Sequence, residues 1–370
     1  MLSDYLPNGE KDLKYNDYRR VSREIRVGGV TVGGSSPISV QSMTNTDTHD
    51  IEATYNQVVR LRDAGCDIVR ITAPDLDSVD TFSELRRRNV GIPLVADIHF
   101  DYRIAVRAAY AGVDKIRINP GNIGTRERIR EVVLACRENS VPIRIGVNSG
   151  SLEEHILKKY GSPTAEALAE SALYHADILR DLDFRDIAIS VKSSDVNTMI
   201  SANRILAERT DYPLHLGVTE AGARDRALIK SSIGIGTLLS EGIGDTVRVS
   251  LTDDPVEEIY VAKAILNSLS LYEAGGMDIV SCPTCGRTRI DLISLLMEFE
   301  KRVKEEGLDS KNIKVALMGC AVNGPGEARE ADIGIAGGDG EALLFKKGIV
   351  IRKIKEDRLI DELIREIRDM

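Results

Sequence analysis

The chain has 370 residues, 42% hydrophobic and 29% charged, which suits one large globular domain and a smaller companion. Trp is absent and Phe scarce, so the core must rest on Val, Ile, Leu and Ala, and aromatic platforms for single-stranded nucleic acid are not expected. The net charge of −9 disfavours nucleic acid and anionic membranes as partners; without a spanning apolar run or a basic-then-apolar leader, the expected location is the cytoplasm.

The first predicted element is a short hairpin over Arg23–Gly34, alternating around Gly28-Gly29. Eight apolar runs follow, beginning near Pro37, Cys66, Pro93, Asp114, Pro142, Asp186, Pro213 and Asp245, each trailed by a helical stretch. Two of the helix-to-strand junctions, Ala64-Gly-Cys-Asp67 and Ala111-Gly-Val-Asp114, are near copies, with Gly where a helix ends in the left-handed conformation. Strand–helix alternation implies a parallel sheet, and eight units in this length fit a (β/α)₈ TIM barrel. No Gly-x-Gly-x-x-Gly follows the first strand, so a dinucleotide fold lacks its loop. A helix over Pro255–Leu271 should end the barrel domain, residues 1–272. A smaller α/β domain, 273–370, should have strands at Asp278–Val280, Lys314–Met318, Asp332–Ile335 and Ala342–Ile354, and helices at Arg289–Glu306 and Asp357–Arg368.

Five cations interrupt the barrel runs: Arg70, Arg117, Arg144, Lys192 and Arg248. Alternate strand residues face opposite ways, so cations set among aliphatics must point into the lumen. Unpaired charges there are strongly disfavoured, and internal pairing with Asp97 and Glu220 accounts for one or two of them. The remainder predict a site for a multiply charged anion, a phosphate ester or diphosphate, with Thr72, Asn119, Asn148, Ser194 and Ser250 on the same faces to orient it. His99 and His215 share the inward register, either as binding groups or as hydrogen-bonded wall residues. Glu220, just beyond the seventh strand, is the candidate proton donor at the barrel mouth.

Five cysteines in a chain of this size argue against a disulfide framework. Cys66 and Cys136 read as small core residues. Cys282-Pro-Thr-Cys285 alone is compatible with zinc, a redox pair or an iron–sulfur site. Cys320, at the end of an apolar strand before a Gly/Pro-rich turn, sharpens it. Zinc normally takes four Cys or His ligands, and the second domain contains no histidine, so three thiolates favour an iron–sulfur cluster with a fourth iron open to oxygen ligands.

The segments Ser281–Thr288 and Gly319–Ala328, with Val40–Asp47, Gly146–Leu152 and His215–Gly222, resemble the bacterial 4-hydroxy-3-methylbut-2-enyl diphosphate synthase family from about Arg23 onward. The cluster segments are also similar to the cluster half of sulfite reductases. The resemblance implies reductive ring opening of 2-C-methyl-D-erythritol 2,4-cyclodiphosphate in the non-mevalonate isoprenoid pathway. It also implies a [4Fe–4S] cluster held by Cys282, Cys285, Cys320 and Glu327, flavodoxin or ferredoxin as reductant, and a head-to-tail homodimer. Two other readings remain, a pterin-dependent methyl-transfer barrel and a non-enzymatic anion-binding barrel stapled by zinc.

Overall fold

A computed structural model describes residues 15–271, 276–321 and 329–370. The chain divides into two compact units, Met1–Tyr272 and Glu273–Met370.

In the first unit, β1 (Ile25–Val27) and β2 (Val30–Val32) form the antiparallel hairpin, with Gly28 in the left-handed region at the turn. Eight parallel strands follow: β3 (Ser39–Met43), β4 (Ile68–Ala73), β5 (Leu94–Ile98), β6 (Lys115–Ile118), β7 (Ile143–Asn148), β8 (Ile187–Lys192), β9 (His215–Leu216) and β10 (Thr246–Val247). Their spatial order is β8-β7-β6-β5-β4-β3-β10-β9, and a parallel bridge between Ile189 and Leu214 joins the two ends into a ring. This is the predicted TIM barrel.

Local chemistry explains the repeat. Asp50, Asp195 and Asp254 accept backbone N–H bonds as N-caps of the helices Ile51–Asp63, Val196–Arg209 and Pro255–Ser268. Gly65 and Gly112 adopt positive φ just past helix ends, as the near-copied junctions predict. The aspartates at the strand starts have a common task. Asp67 accepts from the Val40 N–H at 2.7 Å, Asp114 from Leu94 at 2.8 Å and Asp245 from Leu214 at 2.8 Å, each pinning the neighbouring strand. Outward aliphatics such as Val69, Ile116, Ile143 and Ile189 join the helices in one core. At the opposite end from the strand C-termini, the hairpin residues Ile25, Val27 and Val32 cluster with Ile68, Val95 and Ala188 and plug the lumen. β9 and β10 are shorter than their apolar runs. The chains approach closely beyond them: a Cβ at Gly217 would lie 2.5 Å from the Arg248 carbonyl, while the Arg248 N–H donates to the Leu216 carbonyl at 3.0 Å.

The second unit is a five-stranded sheet in the order β11 (Asp278–Ser281), β12 (Lys314–Met318), β13 (Ile333–Gly337), β14 (Glu341–Lys346), β15 (Ile349–Lys355). The first three are parallel and the last two antiparallel. The single run expected over Ala342–Ile354 is thus two strands, folded back where Lys347 and Gly348 both take positive φ. Helices Leu292–Glu305 and Leu359–Arg368 bury Phe299, Val303, Leu363 and Ile367 against it.

Candidate active site

The strand cations face the lumen. Arg70, Arg117, Arg144 and Lys192 are buried and Arg248 is nearly so, while their aliphatic neighbours pack outward. Arg117 places Nη1 3.0 Å from Asp97 Oδ1 and 3.0 Å from His99 Nε2. Arg70 lies 3.6 Å from the other Asp97 oxygen and donates to the Met43 sulfur. Burial alone pushes the Asp97 carboxyl up, but Arg70 and Arg117 override it and hold the pKa at about 2. Arg248 forks onto Glu258 at 2.9 and 3.2 Å and donates to the Ser250 hydroxyl at 2.5 Å. Glu258, from the last barrel helix, is therefore the second counterion. Glu220 is not; it is exposed.

Arg144 is different. It is 1% exposed and gives one hydrogen bond, to the Ser190 hydroxyl at 2.8 Å; Nε and Nη2 are enclosed with no partner among the described residues. Asn119 caps the turn Pro120–Ile123 through Oδ1 and leaves Nδ2 unpartnered in the same sense. Both ring nitrogens of His215 are also enclosed without partners among the described residues. Burial, then Arg144, Lys192 and Lys115, drive its pKa well below the ordinary value, so the ring is neutral. Asn148 and Thr72 are half-buried toward the mouth, whereas Ser194 turns out to solvent on the loop after β8, where its carbonyl accepts from Lys230. Strand alternation stops at Lys192, which is why the inward register predicted for Ser194 fails.

Two groups escaped the sequence reading. Lys115 lies two residues before Arg117 on the same face of β6 and is fully buried; that i, i+2 spacing was the available signal. Glu258 sits on a helix, where strand alternation gives no clue. With Lys115, six basic side chains line the lumen against two carboxylates, Asp97 and Glu258, among the described residues, a strong basic excess in a low-dielectric space.

Glycines make room for the cations. A Cβ at Gly146 would stand 2.3 Å from Arg117 Nε, and one at Gly217 2.9 Å from Lys192 Nζ. Gly146→Ala should displace Arg117 from Asp97 and destabilise the fold by about 1–3 kcal/mol, the range for overpacking. Thermal unfolding and ligand titration of the variant check this, and an unchanged melting point and affinity contradict it. Glu220, four residues beyond β9, holds a strained backbone, φ 51°; such strain in a non-glycine residue collects at functional positions.

In the second unit, Cys282 follows β11 and Cys320 follows β12, so adjacent parallel strands deliver both to one edge of the sheet. The Gly319 N–H donates to Cys282 Sγ at 3.2 Å, and a Cβ at Gly319 would stand 2.8 Å from the Thr288 side chain. Cys285 is exposed; the Arg287 N–H, its guanidinium and the Thr288 hydroxyl hold its thiol below the usual range. Among the described residues no three His, Cys, Asp or Glu side chains are gathered to hold a metal ion, and Glu327, the fourth expected ligand, lies outside them. The donor set itself suits iron–sulfur: soft thiols, backbone N–H donors to sulfur, and no histidine, since all five precede position 216. Cys66 and Cys136 are buried, their thiols pushed up to about 12, as inert core residues.

Fold and site together define a two-domain protein, a (β/α)₈ barrel with an uncompensated cationic lumen joined to a thiol-bearing sheet domain. Comparison with known proteins narrows this. The family model described as the GcpE TIM-barrel domain matches residues 22–263, and that of the GcpE protein C-terminal domain matches 278–369. The chain belongs to the GcpE family. It is 59% identical over 349 residues to the 4-hydroxy-3-methylbut-2-en-1-yl diphosphate synthase (flavodoxin) of Clostridium perfringens, covering 94% of this chain and 99% of that protein. The identity to the protein of the same name from Geobacillus thermodenitrificans is 54% over 350 residues, covering 95% and 92%. Among solved structures, a Yersinia pestis dihydropteroate synthase aligns at TM-score 0.48 and 13% identity, over 67% of this chain and 98% of that one. The relatives support the synthase reading rather than the methyl-transfer or zinc-stapled alternatives.

Proposed function

We propose that this chain binds 2-C-methyl-D-erythritol 2,4-cyclodiphosphate in the barrel lumen and reduces it to 4-hydroxy-3-methylbut-2-enyl diphosphate, with flavodoxin as the source of electrons. The observation that carries the binding half is Arg144, a buried guanidinium with two nitrogens unpartnered among the described residues, in a lumen where those residues supply more cations than carboxylates. A diphosphate supplies the missing negative charge and acceptors. Arg117, Lys192 and Arg248 surround it, and Asn119, Asn148, His215 and Ser250 orient the ring and its hydroxyls. Asp97 and Glu258 hold Arg70, Arg117 and Arg248 in place before the ligand arrives.

Cys282, Cys285, Cys320 and Glu327 would hold a [4Fe–4S] cluster, which when bound supplies the two electrons one at a time. The reaction breaks two C–O bonds, forms a C=C bond and releases one oxygen as water. Glu220 is the group proposed to protonate that departing oxygen; its exposure and strained backbone support the role. A homodimer in the cytoplasm, each thiol-bearing domain serving the partner's barrel, belongs to the same proposal and rests on the family resemblance.

Glu220→Gln tests the assignment. Turnover with reduced flavodoxin should fall by about 10²–10⁴-fold, the range for losing a general acid, with cyclodiphosphate affinity and iron content unchanged. Turnover within a factor of a few of the parent rules Glu220 out as the acid.

A further inference from the structure

Lys115 is a titratable group of the lumen that the proposed chemistry leaves unused. It is 0% exposed, and its Nζ has no hydrogen-bond partner among the described residues. It shares the inward face of β6 with Arg117, one step nearer the hairpin plug. Gln41 on β3 and Thr246 on β10 also keep enclosed polar atoms without partners among the described residues.

Among the described residues the charged and titratable groups that face the lumen are Arg70 on β4, Asp97 on β5 with His99 just beyond it, Arg117 on β6, Arg144 on β7, Lys192 on β8, His215 on β9, and Arg248 beyond β10. The last barrel helix adds Glu258. Asp97 is engaged by Arg70 and Arg117, and Glu258 by Arg248, so neither carboxylate compensates Lys115. Burial, reinforced by Arg144 and Arg70, lowers its pKa well below the ordinary lysine value. A sealed ammonium without a counterion is strongly disfavoured, and the amine stands neutral.

We infer that binding of the dianionic diphosphate draws one proton from solvent onto Lys115, so that the barrel completes its positive charge only when the ligand is in place. This rests on the proposed function. The ligand brings two negative charges to the layer of Arg117 and Arg144, in a medium where Coulomb attraction is weakly screened. Other groups are poorer acceptors of that proton. His215 starts from an ordinary value of 6.5 against 10.5 for lysine, and burial and the lumen cations depress it further. Lys192 is likewise pushed well below the ordinary lysine value, by burial and then Arg248, Arg70, Arg144 and Arg117, but at 6% exposed it is less completely sealed than Lys115. The cyclic diphosphate itself does not titrate near neutrality, because each phosphorus keeps a single, strongly acidic hydroxyl.

The test is calorimetry on anaerobic holoenzyme without reductant, titrated with the cyclodiphosphate in buffers of different ionisation heat. At about pH 7.5 the parent should take up about one proton per site on binding. Lys115→Met keeps the stem and removes the amine, and it should bind without uptake. Uptake that persists in Lys115→Met, or parent binding with no uptake, overturns the inference and leaves the proposed function standing. No binding by the parent overturns both. Should Lys115→Met fail to fold, the parent alone decides. Its association constant should fall about tenfold for each unit of rising pH where uptake is complete, and a pH-independent affinity overturns the inference.

Discussion

Arg144→Met should weaken cyclodiphosphate binding by about 2–5 kcal/mol, the scale for removing one partner of a buried charged pair, while iron and sulfide content stay at the parent level. The magnitude follows from what surrounds the guanidinium. It is 1% exposed, bonded once to Ser190, and carries two enclosed nitrogens with no acceptor among the described residues. In the empty barrel that arrangement is unfavourable, since a desolvated cation beside Arg70 and Arg117 meets repulsion as well as lost hydration. The ligand reverses the sign. Methionine fills a similar volume without charge, so the ligand-free variant should be at least as stable as the parent while its affinity collapses. Thermal unfolding and calorimetric titration together check this pair of opposite effects. A variant that binds the cyclodiphosphate normally removes the lumen account of anion recognition.

Cys320→Ser should reduce iron and sulfide content sharply and take turnover with reduced flavodoxin to background. A serine oxygen is a harder and poorer ligand for iron–sulfur than a thiolate. The barrel should be unaffected, so cyclodiphosphate binding by the variant should match the parent. The variant also tests the dimer. Mixed with Arg144→Met subunits, it leaves an intact barrel on one chain and an intact thiol set on the other. If each thiol-bearing domain serves its partner, heterodimers regain turnover in one of two sites. Heterodimers shown to form but wholly inactive mean that each chain completes its own site. Full iron and sulfide in Cys320→Ser contradicts its role as a ligand.

Much of this site was legible because barrel strands impose a period of two. Arg70, Arg117, Arg144 and Lys192 betray their direction by standing against aliphatics that must face the helices. Where the strand ends, the rule ends with it, which is why Ser194 points to solvent rather than inward. Counterions were harder. Asp97 lies on a strand and could be paired with its neighbours, but Glu258 reaches Arg248 from a helix distant in period and register. Lys115 was hidden for another reason: a lysine at the first position of a run resembles a solvent-facing strand start until the hairpin is seen to seal that end. In the second unit the turn at Lys347-Gly348 was masked by hydrophobic residues on both sides, so two strands looked like one. The cysteine spacing predicts the donors, and parallel pairing of β11 with β12 explains why Cys282 and Cys320 end at one sheet edge.

The most direct test of the proposed activity is phosphorus NMR of an anaerobic reaction containing the holoenzyme, cyclodiphosphate and reduced flavodoxin. The two resonances of the cyclic substrate should give way to those of a linear diphosphate monoester, with two electrons consumed for each substrate converted and no conversion when flavodoxin is omitted. Cyclodiphosphate that persists unchanged beside holoenzyme with a full complement of iron and sulfide contradicts the account.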